Sequence, residues 1–210
     1  MNYGTIKYAD IANGPGVRTC LFVSGCRRGC KGCFNFLVQN FNFGEPFTSK
    51  TAQDIIDSLA PDYIAGLTVL GGEPMEPENQ HGLVDLFERV RRAYPHKSIW
   101  CYTGDTYEEI SEGGFHHTDV TDRILACLDV LVDGPFEKDL YDITLRFRGS
   151  SNQRLIDIPK TLAQNKVVLW QDEKVYATHK MEYRDPHAAP RFASLHTKTA
   201  GALIFSAKQV

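Results

Sequence analysis

Three of the six cysteines in this 210-residue chain fall within eight residues of one another: Cys26, Cys30 and Cys33. Thiolates are metal ligands, and the Cys-x3-Cys-x2-Cys spacing puts three of them on one loop. Structural zinc takes four ligands, often from two paired knuckles. A 4Fe–4S cluster also usually takes four thiolates. Here no second cysteine pair exists. Cys20, Cys101 and Cys127 stand singly in apolar stretches, where free cysteine behaves as a small core residue. Three thiolates on an iron–sulfur cubane leave one iron without a protein ligand, and an open metal position favours substrate binding over a structural role. Gly25, Gly29 and Gly32 permit the tight loop such a group needs. Arg27, Arg28 and Lys31 interleave the cysteines. Their charge would lower thiol pKa values and stabilise an anionic cluster, although the same side chains also fit a solvated basic loop.

Such a loop is useful only if regular elements hold its ends. Thr19–Ser24, Leu67–Leu70, Ser98–Thr103 and Leu128–Val132 are short, nearly continuous apolar runs, as expected of parallel strands covered on both faces. Helical spacing lies between them, in Thr51–Leu59, His81–Tyr94 and Asp119–Cys127. Strands alternating with helices predict a parallel α/β architecture. Four units are too few to close an eight-stranded barrel, so an open sheet or partial barrel is expected. Each strand ends in a glycine turn: Ser24-Gly25-Cys26, Leu70-Gly71-Gly72-Glu73-Pro74, Thr103-Gly104-Asp105 and Asp133-Gly134-Pro135. Ligands of α/β folds bind beyond the carboxyl ends of the strands, so four such ends, one carrying the cysteines, predict a shared site. After Pro135 the pattern loosens. Arg146–Gln153 reads as a basic polar loop, and Val167–Trp170 as one more short strand. His116-His117 reads as solvated.

Composition sets the outer limits. Hydrophobic residues make up 42%, charged residues 23% and aromatics 11%, values of a globular chain with a sizeable core. The formal net charge of −3 gives no global basic field for nucleic acid. No apolar run approaches the roughly 18 residues needed to span a bilayer. The opening residues lack a basic segment followed by an apolar one, so a cytoplasmic protein is expected. Residues 178–210 carry a local charge of +3 against −6 for the rest. The expected organisation is one domain over residues 1–176 and a poorly ordered tail over 177–210.

Cys26-Arg27-Arg28-Gly29-Cys30-Lys31-Gly32-Cys33-Phe34-Asn35 resembles the signature of the radical S-adenosylmethionine (SAM) superfamily. Within it, Asp10–Arg18 (DIANGPGVR) resembles the glycine-rich opening of the glycyl-radical activases. Trp100–Gly104 (WCYTG), Leu131–Phe136 (LVDGPF) and Arg148–Gln153 (RGSSNQ) are similar to stretches typical of the activases of anaerobic ribonucleoside-triphosphate reductase. The resemblance covers roughly residues 1–171. It implies a partial (β/α) barrel of radical SAM type, and a 4Fe–4S cluster on Cys26, Cys30 and Cys33. It also implies SAM bound by Gly71, Gly72 and Glu73 at its methionine end, by Gly32, Cys33 and Phe34 near adenine, and by Thr103, Gly104 and Asp133 toward the ribose. The implied reaction is reductive cleavage of SAM, followed by hydrogen abstraction from a glycine of the reductase large subunit. That chemistry requires no side chain as general acid or base. An external one-electron donor such as flavodoxin is implied, attracted by Arg27, Arg28 and Lys31. Arg146, Arg148 and Asn152 are candidates to contact the partner's glycine loop or SAM.

Two other readings fit the same residues. The radical SAM chemistry could serve a different substrate, such as another glycyl-radical enzyme or a small molecule. A zinc-stabilised binding module using the basic tail is the reading from another class, and the lack of a clear fourth ligand counts against it.

Overall fold

A computed structural model describes residues 1–172. The expected tail over 177–210 lies outside the described residues. Among the described residues, seven strands form one sheet in the order β3-β1-β2-β4-β5-β6-β7. The centre is parallel, as the apolar runs predict: β2 (Val17–Val23), β4 (Ile64–Gly71), β5 (Ser98–Tyr102) and β6 (Val130–Asp133) run side by side. The flanks are antiparallel. β1 (Asn2–Asp10) pairs with β2 and with the two-residue β3 (Glu45–Pro46), and β7 (Arg154–Asp157) pairs with β6. Val167–Trp170, expected as a strand, makes only a single bridge, Leu169 to Ile156. Two backbone bonds, from the Asp157 amide to the Val168 carbonyl and from the Trp170 amide to the Leu155 carbonyl, both 2.8 Å, flank that bridge to β7.

The helices form where local signals place them. α1 (Ser49–Ser58) is capped by Thr48, whose hydroxyl accepts from the Thr51 amide at 3.2 Å while Thr51 answers to the Thr48 amide. α2 (Pro77–Ala93) begins four residues before the expected start, with proline in its first turn where the missing N–H costs nothing. The short α3 (Tyr107–Ile110), α4 (Thr121–Cys127) and α5 (Ile158–Gln164) complete the set. Residues at helical spacing on α1, α2 and α4 (Ile55, Leu83, Phe87, Val90, Ile124 and Leu125) pack on one sheet face against Leu21, Val69, Ile99 and Leu131. Cys101 and Cys127 are buried in this core, and Cys20 is buried on the opposite face with Phe22, Leu70 and Tyr102. All three are core residues, as expected.

The opposite face carries no helix layer among the described residues. There Trp100 meets Phe147 and Trp170 edge-on, at ring separations of 5.4 and 5.1 Å. At the amino ends of the strands the wholly buried Arg18 holds β2, β4 and β5 together. Its guanidinium donates to Thr68 Oγ1 (2.7 Å), the Leu67 carbonyl (2.7 Å), Ser98 Oγ (2.8 Å) and the Ser98 carbonyl (2.8 Å), and it lies over the Trp100 ring. Burial lowers its pKa to about 10, so it remains charged at neutral pH. The stiff amino end leaves the carboxyl ends of the strands free to carry loops.

Candidate cofactor site at the carboxyl ends of the strands

The cysteine loop is closed on itself by backbone bonds. The Gly25 amide donates to the Val38 carbonyl (2.7 Å) and the Cys26 amide to the Gln39 carbonyl (3.0 Å). Gly25 has φ +99°, and a Cβ there would lie 2.3 Å from the Phe41 ring, so only glycine lets the chain leave β2 at this angle. The loop is also tied to β4. The Gly72 amide donates to the Val23 carbonyl and the Glu73 amide to the Gly25 carbonyl, both at 2.8 Å. A Cβ on Gly72 would sit 2.5 Å from the Gly25 carbonyl oxygen. The two motifs that the sequence analysis singled out are thus one packed unit, and the glycines of the second are required by the first.

Cys26, Cys30 and Cys33 are free thiols, each half-buried. With Phe34, Gly71, Gly72, Glu73, Thr103 and Gly104 they line one cavity of about 140 Å³. Nine of the eleven residues expected at the site therefore meet there. Gly32 and Asp133 do not line the cavity. Gly32 packs toward the Lys138 side chain. Asp133 is fully buried, accepting from the Tyr107 amide (2.7 Å) and the Arg154 guanidinium. Arg28, Asn35, Leu70, Tyr102, Gly134, Phe136 and Gln153 complete the lining. Tyr102 was missed because the phenol and the strand it sits on look like ordinary core, yet among the described residues its buried hydroxyl has no partner.

Burial pushes the Cys26 thiol up to about 11, helped by Glu73 and Glu76. The Arg28 backbone amide pulls the thiol the other way, but burial outweighs it, and the guanidinium charges of Arg27 and Arg28 are already paired. Arg27 bonds to Glu76 and Glu78. Arg28 bonds to the fully buried Asp105 and to Glu109. The same pairing removes two of the three cations expected to attract an electron donor. Asp105 also accepts from His116 Nδ1 at 2.7 Å. His116, expected as a solvated residue, is thus the back wall of this ion pair.

Glu73 is 1% exposed. Its carboxylate accepts from the Gly104 amide (2.6 Å) and the Met75 amide (2.9 Å), so it clamps the end of β4 to the end of β5. Burial, with Asp105 nearby, raises its pKa to about 7. The RGSSNQ segment brackets the end of β6: Gln153 donates to the Gly134 carbonyl at 3.0 Å and accepts from the Gly149 amide at 2.9 Å, and Asn152 donates to the Pro135 carbonyl at 2.8 Å. Arg148 donates to the Gln153 carbonyl at 2.7 Å. These contacts are made within the chain, so Arg148 and Asn152 shape the site from behind.

The donor set suits an iron–sulfur cluster. Among the described residues no three His, Cys, Asp or Glu side chains converge closely enough to hold a single metal ion. In a cubane each thiolate binds a different iron, so its ligands need not converge on one atom, whereas thiolates sharing one zinc must all lie about 2.3 Å from it.

The fold and this site define a 4Fe–4S protein: the family model of the 4Fe-4S single cluster domain matches residues 12–156. The anaerobic ribonucleoside-triphosphate reductase-activating protein of Enterobacteria phage T4 is 39% identical over 155 residues, 74% of this chain and 93% of that protein. Its namesakes from Escherichia coli (strain K12) and Pasteurella multocida are 40% and 41% identical, each over 73% of this chain and at least 95% of their own length. The chain belongs to the family of anaerobic ribonucleoside-triphosphate reductase-activating proteins. Among the described residues no helix is long and apolar enough to cross a membrane.

Proposed function

We propose that this chain activates an anaerobic ribonucleoside-triphosphate reductase by generating a glycyl radical on its large subunit. The observation that carries the reading is the meeting of three free thiols and the Gly71-Gly72-Glu73 turn in one cavity. On this reading the open sheet is a partial (β/α) barrel of radical SAM type, and residues 1–176 are the working domain of a cytoplasmic protein. When bound, the cluster and SAM together supply a one-electron reductive cleavage, giving methionine and a 5′-deoxyadenosyl radical that takes a hydrogen atom from the glycine Cα of the partner.

The chain's own residues bind, orient and exclude water. Cys26, Cys30 and Cys33 would hold the cluster, and three thiolates would leave it one position open to SAM. Glu73 and the carbonyls of its turn accept from the SAM ammonium. A carboxylate has about four acceptor sites; the Gly104 and Met75 amides and the Thr103 hydroxyl occupy three of those on Glu73 and leave one open. Phe34, beside Gly32 and Cys33, offers an aromatic face to adenine. Thr103 and Gly104, which line the same cavity, would face the ribose, and Asp133, paired with Arg154, would act through that pair rather than by contact. The electron comes from an external carrier such as flavodoxin.

The test is anaerobic reconstitution with iron and sulfide, followed by SAM, reductant and the reductase. 5′-Deoxyadenosine and a glycyl-radical EPR doublet, both lost in Cys30→Ala, are expected. An intact cluster that yields neither would overturn the reading.

A further inference from the structure

Behind the cysteine loop stands a carboxylate that does not line the cavity. Glu76 immediately precedes α2 and is wholly buried. Its Oε1 accepts from the Arg27 backbone amide at 2.7 Å, and its Oε2 accepts from the Arg27 guanidinium. That amide belongs to the residue directly after Cys26. Of the two amides that follow Cys26, the one of Arg28 donates to the Cys26 sulfur, and the one of Arg27 is taken by Glu76. The first turn of α2 holds the carboxylate in place. The buried Asn79 side chain donates to the Ser24 carbonyl (3.0 Å) and the Glu73 carbonyl (2.8 Å). The Glu76 carbonyl accepts from the Asn79 and Gln80 amides, both at 2.9 Å. Glu76 is thus a negative charge fixed against the loop and kept from water.

We infer that Glu76 is a positioning residue that lowers the reduction potential of the cluster held by Cys26, Cys30 and Cys33, by placing a buried negative charge behind the loop and keeping one backbone amide from the sulfurs. The inference rests on the iron–sulfur reading proposed above and adds the residue that tunes it. The potential of such a group is set by net charge, by hydrogen bonds to sulfur and by exposure to solvent. Reduction adds one electron to a group that already carries three thiolates. A buried negative charge nearby opposes that electron, and so does the loss of an N–H donor to sulfur. Arg27 does not cancel the effect. Its side chain is 57% exposed, against 1% for Glu76, and it is shared with the half-exposed Glu78. Water and salt screen the positive end of the pair, whereas the negative end acts through the low-dielectric interior. Cys26 registers the same sign: after burial, Glu73 and Glu76 push its thiol up, so negative charge gained at that sulfur is resisted. Glu76 is itself neither oxidised nor reduced. The electron comes from the external one-electron donor and passes to the cluster.

The test is Glu76→Gln, which keeps an oxygen for the Arg27 amide and removes the charge. Wild type and variant are reconstituted anaerobically with iron and sulfide as full chains, without SAM. Iron and sulfide are measured, and the midpoint potential is read by EPR-monitored redox titration. The expected result is equal iron and a reduced-to-oxidised ratio about tenfold higher at the wild-type midpoint, an upward shift of about 59 mV for one electron. Glu78→Gln, whose charge lies in water, should leave the midpoint unmoved. An unmoved midpoint in Glu76→Gln, or an equal shift in Glu78→Gln, would overturn the inference. If Glu76→Gln takes up less iron, Arg27→Gln decides: it leaves the Glu76 charge uncompensated, so the midpoint should fall, and an unmoved or raised midpoint would overturn the inference. A wild type that holds the cluster but yields neither 5′-deoxyadenosine nor a glycyl radical with the reductase would overturn the proposed function alone, because the midpoints are read without SAM or partner. A wild type that takes up no cluster would overturn both.

Discussion

Replacing Arg28 by methionine tests whether the wall of the site is held by a buried charge pair. The Arg28 side chain is 20% exposed, Asp105 is 0% exposed and Glu109 is 34% exposed. Without the guanidinium, Glu109 can turn to water and keeps the Thr106 amide at 2.7 Å. That part costs under about 1 kcal/mol. Asp105 has no such escape. Removing one partner of a buried pair costs about 3–5 kcal/mol, and His116 still donates to its second oxygen, which favours the lower end. The expected loss is about 3 kcal/mol. With a urea dependence of about 2 kcal/mol per molar, the unfolding midpoint of the cluster-free protein should fall by about 1.5 M at pH 7 under anaerobic, reducing conditions. The cause is isolated by adding Asp105→Asn. The neutral amide removes the stranded charge, so the double variant should be at least about 1 kcal/mol more stable than Arg28→Met alone. A loss below about 1 kcal/mol for Arg28→Met, or costs that simply add in the cycle, would refute the reasoning.

Other outcomes follow from particular contacts. Arg18→Lys replaces a fork making four short bonds by an ammonium with three donors, leaving a buried acceptor dry at about 1–3 kcal/mol; calorimetry should show melting lower by several degrees, and an unchanged Tm would contradict this role. Gly72→Ala drives a Cβ against the Gly25 carbonyl, so the cysteine loop must shift; the cost is about 1–3 kcal/mol, and reconstituted protein should bind less iron and sulfide than wild type. The Glu73 carboxyl has a pKa raised from 4.5 to about 7 by burial. The folded chain therefore holds this proton more tightly than the unfolded one. In the cluster-free protein this stabilisation is full below about pH 4.5 and is lost as the pH rises through about 7, a change of order 3 kcal/mol. Glu73→Gln should flatten stability between pH 5 and 8; equal slopes in both proteins would show that the carboxyl is not desolvated.

The parallel centre of the sheet, α1, α2 and α4, the cysteine loop and the glycine turns were all legible in the residues. Strands covered on both faces are continuous apolar runs, helices repeat at 3.6 residues, and turns are set by neighbours in the chain. These are short-range signals. β1 escaped notice because an antiparallel strand beside a sheet edge is half exposed: only Asn2, Tyr3, Gly4, Ile6 and Asp10 of its nine residues are even partly buried. β7 is four residues long, too short for a period to show.

What the sequence by itself determined is the chemistry offered: three thiols, a Gly-Gly-Glu turn, and strands that must end on one side. Tertiary structure decided which charges are available to that chemistry. Arg28 reads as a free cation among cysteines, but its partner is Asp105, 77 residues away. Asp133 reads as a strand-end ligand, but Arg154 from the antiparallel β7 occupies it. His116 reads as solvated, but Asp105 holds it. An ion pair is fixed by distance in space and by burial, and neither is encoded in the types or spacing of residues that lie tens of positions apart.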